Sequence, residues 1–434
     1  MAEQHDKTAV GQVPPTGVIR GEWSALVLAF IYFFLVLAAY YVLRPVREQL
    51  AAAVGSQALP ASYLATFLTT LVLTPVYGWL VARFPRKIFV PVVYLFFIAN
   101  LIAFIPAFES QGTLNPHMLN TVFFVWMSVF NLFVVAVFWS FIADVFSVDQ
   151  AHRLFSMIAF GGTLGAIAGP LLTKWLVPVI GIAALLGLSA ALLGGALACI
   201  LALVAWSRRH PVAQDAARNE EVIGGGFWTG AKQVFASPFL FRLAVLMMLG
   251  DGVGTLIYNL QTDIGHKFFP DGVARTDFYA SVDLATNVLV AVLQIVVTRI
   301  VLTRFGPVVG IVGTEIVKAL TLVTLALLGY PLAAAGALIV TRGGAYGVEK
   351  PATDSLYTRV DRETRYKAKG FIDTAVWRLG DVLVVSAIQL LRDWFHANNS
   401  ALALISASAA LCAAWIAWRL KTTPELAHRS GAHR

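Results

Sequence analysis

Charge is scarce in this chain. Of its 434 residues only 13% are Asp, Glu, Lys or Arg, about half the roughly 25% of a soluble domain. Cysteine is nearly absent: Cys199 and Cys412 are too few for a disulfide framework. The eight histidines are scattered, with no H-E-x-x-H, no C-x-x-C and no ligand cluster, so no metal site is predicted. No G-x-x-x-x-G-K-[ST] occurs, which excludes an ATP-hydrolysing loop of that kind. Gly250-Asp251-Gly252-Val253-Gly254 is glycine-rich but lies inside an apolar run, without the strand and helix that a dinucleotide fingerprint needs. With no nucleophile–base set and no cofactor motif, the sequence predicts neither an enzyme nor a cofactor protein. The net charge of +8 is spread over short segments between apolar runs, on no single face or tail, so no nucleic-acid partner is predicted.

What the chain has is apolar length. Hydrophobic residues make up 58% and the mean hydropathy is +0.75. A soluble globule could not hide that much apolar surface, so the lipid bilayer is the partner for most of it. A membrane helix needs about 20 mostly apolar residues. Twelve such runs are present, near 24–43, 61–82, 88–108, 119–143, 155–175, 183–206, 239–260, 277–302, 306–328, 331–352, 369–391 and 400–419. The fold class that follows is all-α and polytopic, twelve transmembrane helices in two six-helix bundles. Residues 1–23 read as a disordered cytoplasmic tail rather than a cleaved signal: Glu3, Asp6 and Pro14-Pro15 precede the first run, and no small-residue cleavage site closes it. Residues 24–206 form the first bundle. Residues 207–238 are a linker that ends in a short amphipathic helix over Phe227 to Ala236. Residues 239–420 form the second bundle, and 421–434 a C-terminal tail.

Lysine and arginine placement sets the orientation. With both termini on one side, the opposite side holds only Arg44, Arg47, Lys174, Lys267, Arg275 and Arg392 in its segments, while most other basic residues share the side of the termini. Both termini are therefore expected in the cytoplasm, and the bacterial inner membrane is the expected location.

The halves share short strings at similar offsets: Arg83-Phe84-Pro85 with Arg304-Phe305-Gly306, Val148-Asp149 and Arg153 with Val360-Asp361 and Arg365, and Cys199 with Cys412. A repeat of six plus six helices is a transporter plan with its site at midplane between the halves. The loop from Gly78 to Lys87 resembles the G-x-L-x-D-R-x-G-R-R/K signature of the major facilitator superfamily. Gly78, Leu80, Arg83, Arg86 and Lys87 match, Ala82 replaces the acid and Pro85 the glycine. This marks Gly78, Arg83, Arg86 and Lys87 as a gating loop. The fifth run carries Gly161, Gly162, Gly165 and Gly169-Pro170. Small residues at this spacing serve either as a flexible seam between halves or as ordinary tight helix packing, and Pro170 is placed to kink the run.

Charges within the runs need partners, water or a use, because one at the bilayer centre costs roughly 2.5–3.5 kcal/mol on insertion scales. Arg44 and Arg47 lie three residues apart on one face, with Tyr40 a turn below and Pro45 expected to loosen the helix. Arginine forks bind phosphate and carboxylate bidentately; the alternative is a pair of arginines snorkelling to the outer surface. Glu315 and Lys318 are i, i+3 and read as a structural pair. Arg378 is three residues before Asp381, and Asp373 eight before it. Glu349 and Lys350 are adjacent, so they point apart and at least one needs a partner on another helix. The predicted solute site is Tyr40, Arg44, Arg47, Tyr258, Asn259, Arg342, Tyr346 and Lys350. Asp283, Glu349, Asp373, Arg378 and Asp381 are predicted to pair those cations or to couple.

Three segments resemble the ATP/ADP translocase family of nucleotide transporters. Tyr41-Val42-Leu43-Arg44-Pro45-Val46-Arg47-Glu48 is similar to its Y-x-L-R-D-x-K-D. Phe138-Trp139-Ser140-Phe141-Ile142-Ala143-Asp144 is similar to its F-W-x-F-A-N. Lys367-Ala368-Lys369-Gly370-Phe371-Ile372-Asp373 is similar to its V-K-G-K-A-A-I-D. The resemblance implies ATP/ADP exchange, with Arg47 in place of the family's first-run lysine. Three further family charges fall here on Ser128 or its neighbours, near Asn259, and on Thr353, all uncharged. The predicted function is therefore a secondary transporter of an anionic solute, nucleotides among the candidates, by alternating access. The alternatives are a proton-coupled transporter of a non-phosphorylated solute, and a non-transporting membrane sensor. Monomer or oligomer is not predicted.

Overall fold

The computed structural model describes residues 21–110, 115–209, 227–328, 331–360 and 362–423. Among these, the chain is helical almost throughout and makes twelve long passes. The predicted N-terminal tail, the linker residues 210–226, Asp361 and most of the C-terminal tail lie outside the described residues.

The first half comprises α1 (Trp23–Val54), α2 (Leu59–Arg83), α3 (Arg86–Glu109), α4 (Pro116–Val145), α5 (148–180) and α6 (182–209). Helices α5 and α6 meet at Gly181, whose φ of 76° is the left-handed backbone that a residue without Cβ adopts without strain. The break therefore lies at Gly181, and α5 runs unbroken through Pro170. The predicted loosening at Pro45 is likewise absent: α1 stays helical through it, with Pro45 buried among its neighbours. The surface helix α7 (Phe227–Ala236) stands where the amphipathic linker segment was expected.

The second half comprises α8 (Pro238–Phe268), α9 (272–304), α10 (Pro307–Leu328), α11 (331–356), α12 (362–395) and α13 (Asn399–Leu420). Three of these carry one wide π turn each, over Leu293–Thr298, Ala345–Glu349 and Ile372–Val376. Nine described helices are long and apolar enough to cross a membrane, and one of the nine is the joined run of α5 and α6. Helices α11 and α12 fall outside that count; each carries several charges. One loop match falls at equivalent places: Arg83 closes α2 and Arg304 closes α9, the second pass of each half. Cys199 and Cys412 also fall on the last pass of their halves, α6 and α13, but Cys199 is buried and Cys412 exposed.

The glycines of α5 pack against α1, within one half. A Cβ on Gly165 would stand 2.2 Å from the Phe34 carbonyl oxygen, and one on Gly161 2.6 Å from that of Phe30. Of the two readings of this stripe, the structure has tight helix packing within the first half: at Gly161, Gly165 and Gly169 the backbone of α1 takes the place of a side chain, and at Gly162 the Phe33 ring does. The halves meet where α1 and α5 pack on α9, α1 on α8, and α2 on α12. Several ties lie near the end where α1 stops. Gln389 Nε2 donates to the Ser56 carbonyl at 3.2 Å, Arg392 Nη1 to Ser56 Oγ at 2.9 Å, and His266 Nδ1 meets the Ala52 carbonyl at 2.8 Å. Lys174 joins Asp277 at 3.3 Å and Ser281 at 2.7 Å.

Candidate functional site

A cavity of about 500 Å³ lies between the halves, lined from α1, α2 and α4 on one side and α8, α10, α11 and α12 on the other. Its charges come from residues embedded in otherwise apolar helices. They fall into groups that no single helix contains.

The first group joins α1, α9 and α11. On sequence, Arg44 and Arg47 fall in an outer segment, because charge ends the apolar run there. The helix instead continues to Val54, so both guanidiniums face inward and line the cavity. Arg47 Nη2 holds Glu48 Oε1 at 2.7 Å. Arg44 Nε lies 3.7 Å from Glu48 and 3.6 Å from Asp283 Oδ2, while Arg342 Nη1 lies 3.8 Å from Asp283 Oδ1. Three cations therefore share two carboxylates, Glu48 and Asp283. The pairing is loose. Arg44 Nε, Arg47 Nε, Glu48 Oε2 and Asp283 Oδ2 are buried without a hydrogen-bond partner, an expensive arrangement for charged atoms. Aromatic rings brace the arginines: Tyr41 lies 5.5 Å from the Arg44 guanidinium and Phe124 4.9 Å from that of Arg47.

The second group lines the wall built by α8, α10, α11 and α12. Lys318 Nζ is 2.8 Å from Glu315 Oε1 and 2.6 Å from Glu349 Oε2, and donates to the Gly250 carbonyl at 3.3 Å. The expected two-residue pair is therefore a triad, completed by a carboxylate from α11 that helical spacing within α10 cannot reveal. Nearby, Thr255 Oγ1 donates to Asp381 Oδ1 at 2.6 Å, Arg378 lies 3.7 Å from Asp381 Oδ2, and Asp251 faces the Asp381 carboxyl. Four carboxyls, Asp251, Glu315, Glu349 and Asp381, here meet two cations, Lys318 and Arg378.

A third, balanced group reaches the cavity through Lys350 and Asp373. Lys350 lies 3.5 Å from Asp373 and 3.6 Å from Asp354, and Lys369 lies 2.8 Å from Asp354. Glu349 and Lys350 thus both find partners on other helices, as their adjacency predicts. Asp373, inside the π turn Ile372–Val376, and Asp381, beyond it, serve different cations.

Of the predicted solute residues, Tyr40, Arg44, Arg47, Tyr258, Arg342, Tyr346 and Lys350 line the cavity. Asn259 does not. It is fully buried, one residue and hence about 100° of helix turn beyond Tyr258. Asp283 stands behind the lining, in contact with Arg44 and Arg342. Tyr41, Tyr63, Thr255 and Trp377, which carry no signal in the sequence, also line the cavity, as do Asp251, an acid inside an apolar run, and Lys318, expected only as half of a structural pair. The loop residues Gly78, Arg83, Arg86 and Lys87 lie at the end of α2 and the start of α3, and Gly78, Arg83 and Lys87 do not line the cavity. The Arg83 guanidinium lies 5.9 Å from the Trp79 ring. Among the described residues no group of His, Cys, Asp and Glu could hold a metal ion.

A polar cavity at midheight between two helical halves is the arrangement of a secondary transporter. Residues 23–385 match the Major Facilitator Superfamily, and the chain belongs to that family. No curated protein matches it in sequence. Among solved structures it is similar to a bacterial homologue of the iron transporter ferroportin in an inward-facing state (TM-score 0.67, 14% identity, covering 94% of this chain and 100% of that one). It is similar to the nucleoside transporter NupG (0.58, 16%, 92% and 100%) and to a D-xylose–proton symporter (0.62, 13%, 93% and 98%). At these identities the likeness shows the fold. The protein is thus a major facilitator-type secondary transporter for a small molecule, integral to the membrane.

Proposed function

We propose that the transported solute is an organic anion of low charge with an aromatic or otherwise planar body, held at Arg44, Arg47 and Arg342. The carrying observation is the convergence of Arg44 and Arg342, from opposite halves, on one carboxylate at 3.6 and 3.8 Å. With Arg47 and Glu48 the group has one positive charge more than negative. A carboxylate or phosphate of the solute takes the unfilled donor positions at Arg44 Nε and Arg47 Nε and replaces Asp283 between the two halves. Tyr40, Tyr258 and Tyr346 offer ring faces around it. Alternating access then follows from one contact that both halves need.

The charge balance favours a single anionic group over a triphosphate. Every cation of the cavity already has a carboxylate within 4 Å, so the excess on this wall is one charge, not three or four. That supports a low-charge anion above the ATP/ADP exchange implied by the translocase resemblance. The orientation with both termini in the cytoplasm belongs to the same proposal. The ties at the end where α1 stops then close the outer side.

A thermal-shift screen of the purified protein with benzoate, AMP, ATP and glucose tests this. A ligand at 100 times its Kd stabilises by about 2.7 kcal/mol. Benzoate or AMP is expected to raise the melting temperature of the wild type and not of Arg342→Ala. Stabilisation by ATP well above AMP would favour nucleotide exchange, and stabilisation by glucose alone would overturn the anion site.

A further inference from the structure

We propose that Glu315, Lys318 and Glu349 form a proton site separate from the solute group: one exchangeable proton is shared between the two carboxyls above the lysine ammonium. The site is assembled from three helices. Lys318 Nζ already fills the space that three oxygens surround, Glu315 Oε1 at 2.8 Å, Glu349 Oε2 at 2.6 Å and the Gly250 carbonyl at 3.3 Å. No room is left there for a metal cation. Glu315, fully buried, keeps a second oxygen, Oε2, that meets no donor, and its carboxyl and that of Glu349 meet beside Gly250, where both Oε1 atoms approach the same point. A buried acceptor beside a second carboxyl lacks one hydrogen, and a proton supplies it without adding an atom that needs space. Gly250 makes the close approach possible: a Cβ there would stand 2.8 Å from Glu349 Oε1 and 2.9 Å from Glu315 Oε1.

The surrounding charges do not neutralise the site. Helix α8 contributes Asp251, a third acid. Helix α11 contributes Glu349 itself, and its Arg342 is occupied with Asp283. Helix α13 has no charge before Arg419, at its end, and Arg299 and Arg304 of α9 are exposed. Two ionised carboxylates on one ammonium leave a negative charge, and an uncompensated buried charge is costly. With one proton the triad is neutral.

The triad reaches the cavity, since Lys318 and Glu349 both line it. Glu349 also shares α11 with Arg342, seven residues and roughly two turns earlier, with the π turn Ala345–Glu349 between them. When α11 moves with a solute anion at Arg342, Glu349 leaves Lys318. The lysine then neutralises Glu315 alone, the Glu315 O–H bond breaks, and the proton passes to cavity water. Return of Glu349 takes a proton up. This coupling step rests on the transport function proposed above; the proton site itself does not.

Infrared difference spectra of the full chain in proteoliposomes, recorded across a pH step, report protonated carboxyls by their C=O stretch. Glu315→Gln is expected to remove one component of that band. Glu349→Gln is expected to remove the same component although Glu315 is intact, because one carboxylate and Lys318 balance without a proton. Lys318→Gln is expected to enlarge the band, as two carboxyls then need protons. A band unchanged in Glu315→Gln, or a Glu349→Gln spectrum that keeps the component, overturns the proton site. Coupling is read separately, with benzoate or AMP as the probe, whichever stabilises the wild type. Glu315→Gln is expected to lose accumulation driven by a pH gradient and to keep probe counterflow. Loss of counterflow as well overturns the coupling role. If neither probe stabilises the wild type, the anion proposal fails and the spectra still decide the proton site.

Discussion

The two walls of the cavity solve the problem of buried charge in opposite ways. The wall around α1 has more cation than acid: Arg44, Arg47 and Arg342 against Glu48 and Asp283. The wall of α8, α10 and α12 has more acid than cation: Asp251, Glu315, Glu349 and Asp381 against Lys318 and Arg378. The geometry differs too. On the first wall the ties that involve Asp283 are 3.6 Å or longer and leave donors free; on the second, Lys318 is gripped at 2.6 and 2.8 Å. Loose pairs with spare donors suit a contact that a solute replaces. Short pairs with a missing hydrogen suit a group that keeps its partners and changes protonation. Helix α11 belongs to both walls, through Arg342 and Glu349, and ties the two behaviours together.

Removing the central cation of the first wall is expected to have the largest effect. Arg44 is buried and holds Asp283 and Glu48, and breaking a buried pair by deleting one partner costs about 3–5 kcal/mol. Arg44→Ala is expected to unfold at clearly lower temperature and to transport nothing. Adding Asp283→Asn to it is expected to restore much of the melting temperature and none of the uptake. Full recovery of uptake by the double variant would show that the pair is structural only.

Gly250→Ala is the corresponding probe of the second wall. Its Cβ would stand under 3 Å from both glutamates, and overpacking of this kind costs about 1–3 kcal/mol. The melting temperature is expected to fall less than in Arg44→Ala, and uptake driven by a pH gradient to fall more than counterflow. Equal loss of both would mean that the walls are not separable.

Much of the architecture was legible because lipid imposes length. Eleven of the twelve apolar runs lie within one helical pass and the other, 306–328, starts one residue before its helix; the surface helix Phe227–Ala236 follows from its amphipathic spacing. Site residues were legible when the signal was local. A charge or tyrosine inside an apolar run pointed to the cavity for Arg342, Tyr346 and Lys350, and i, i+3 spacing gave Glu315 with Lys318. Partners across helices were not legible. Nothing near Arg44 announces Asp283, 239 positions on, or near Lys318 announces Glu349. For the same reason Arg44 and Arg47 looked like the outer end of a helix that in fact runs on to Val54. Asn259 failed because polarity alone does not say which way a helix face turns, and its neighbour Tyr258 takes the cavity side.

The smallest effect is expected away from both walls, at the tie between α5 and α9. Lys174 and Asp277 are each 39% exposed, and such surface pairs contribute about 0–1 kcal/mol. Lys174→Ala is therefore expected to leave the melting temperature nearly unchanged. The tie joins the halves at one end of the cavity, so its loss acts on the balance between the two access states rather than on folding. One kcal/mol shifts such an equilibrium roughly fivefold, a tenfold change being about 1.4 kcal/mol. A cysteine pair introduced at Ser56 and Gln389, whose side chain donates to the Ser56 carbonyl, would report that shift as slower cross-linking in the Lys174→Ala background. An unchanged rate would place the closure of this end in the Arg392 and His266 ties instead.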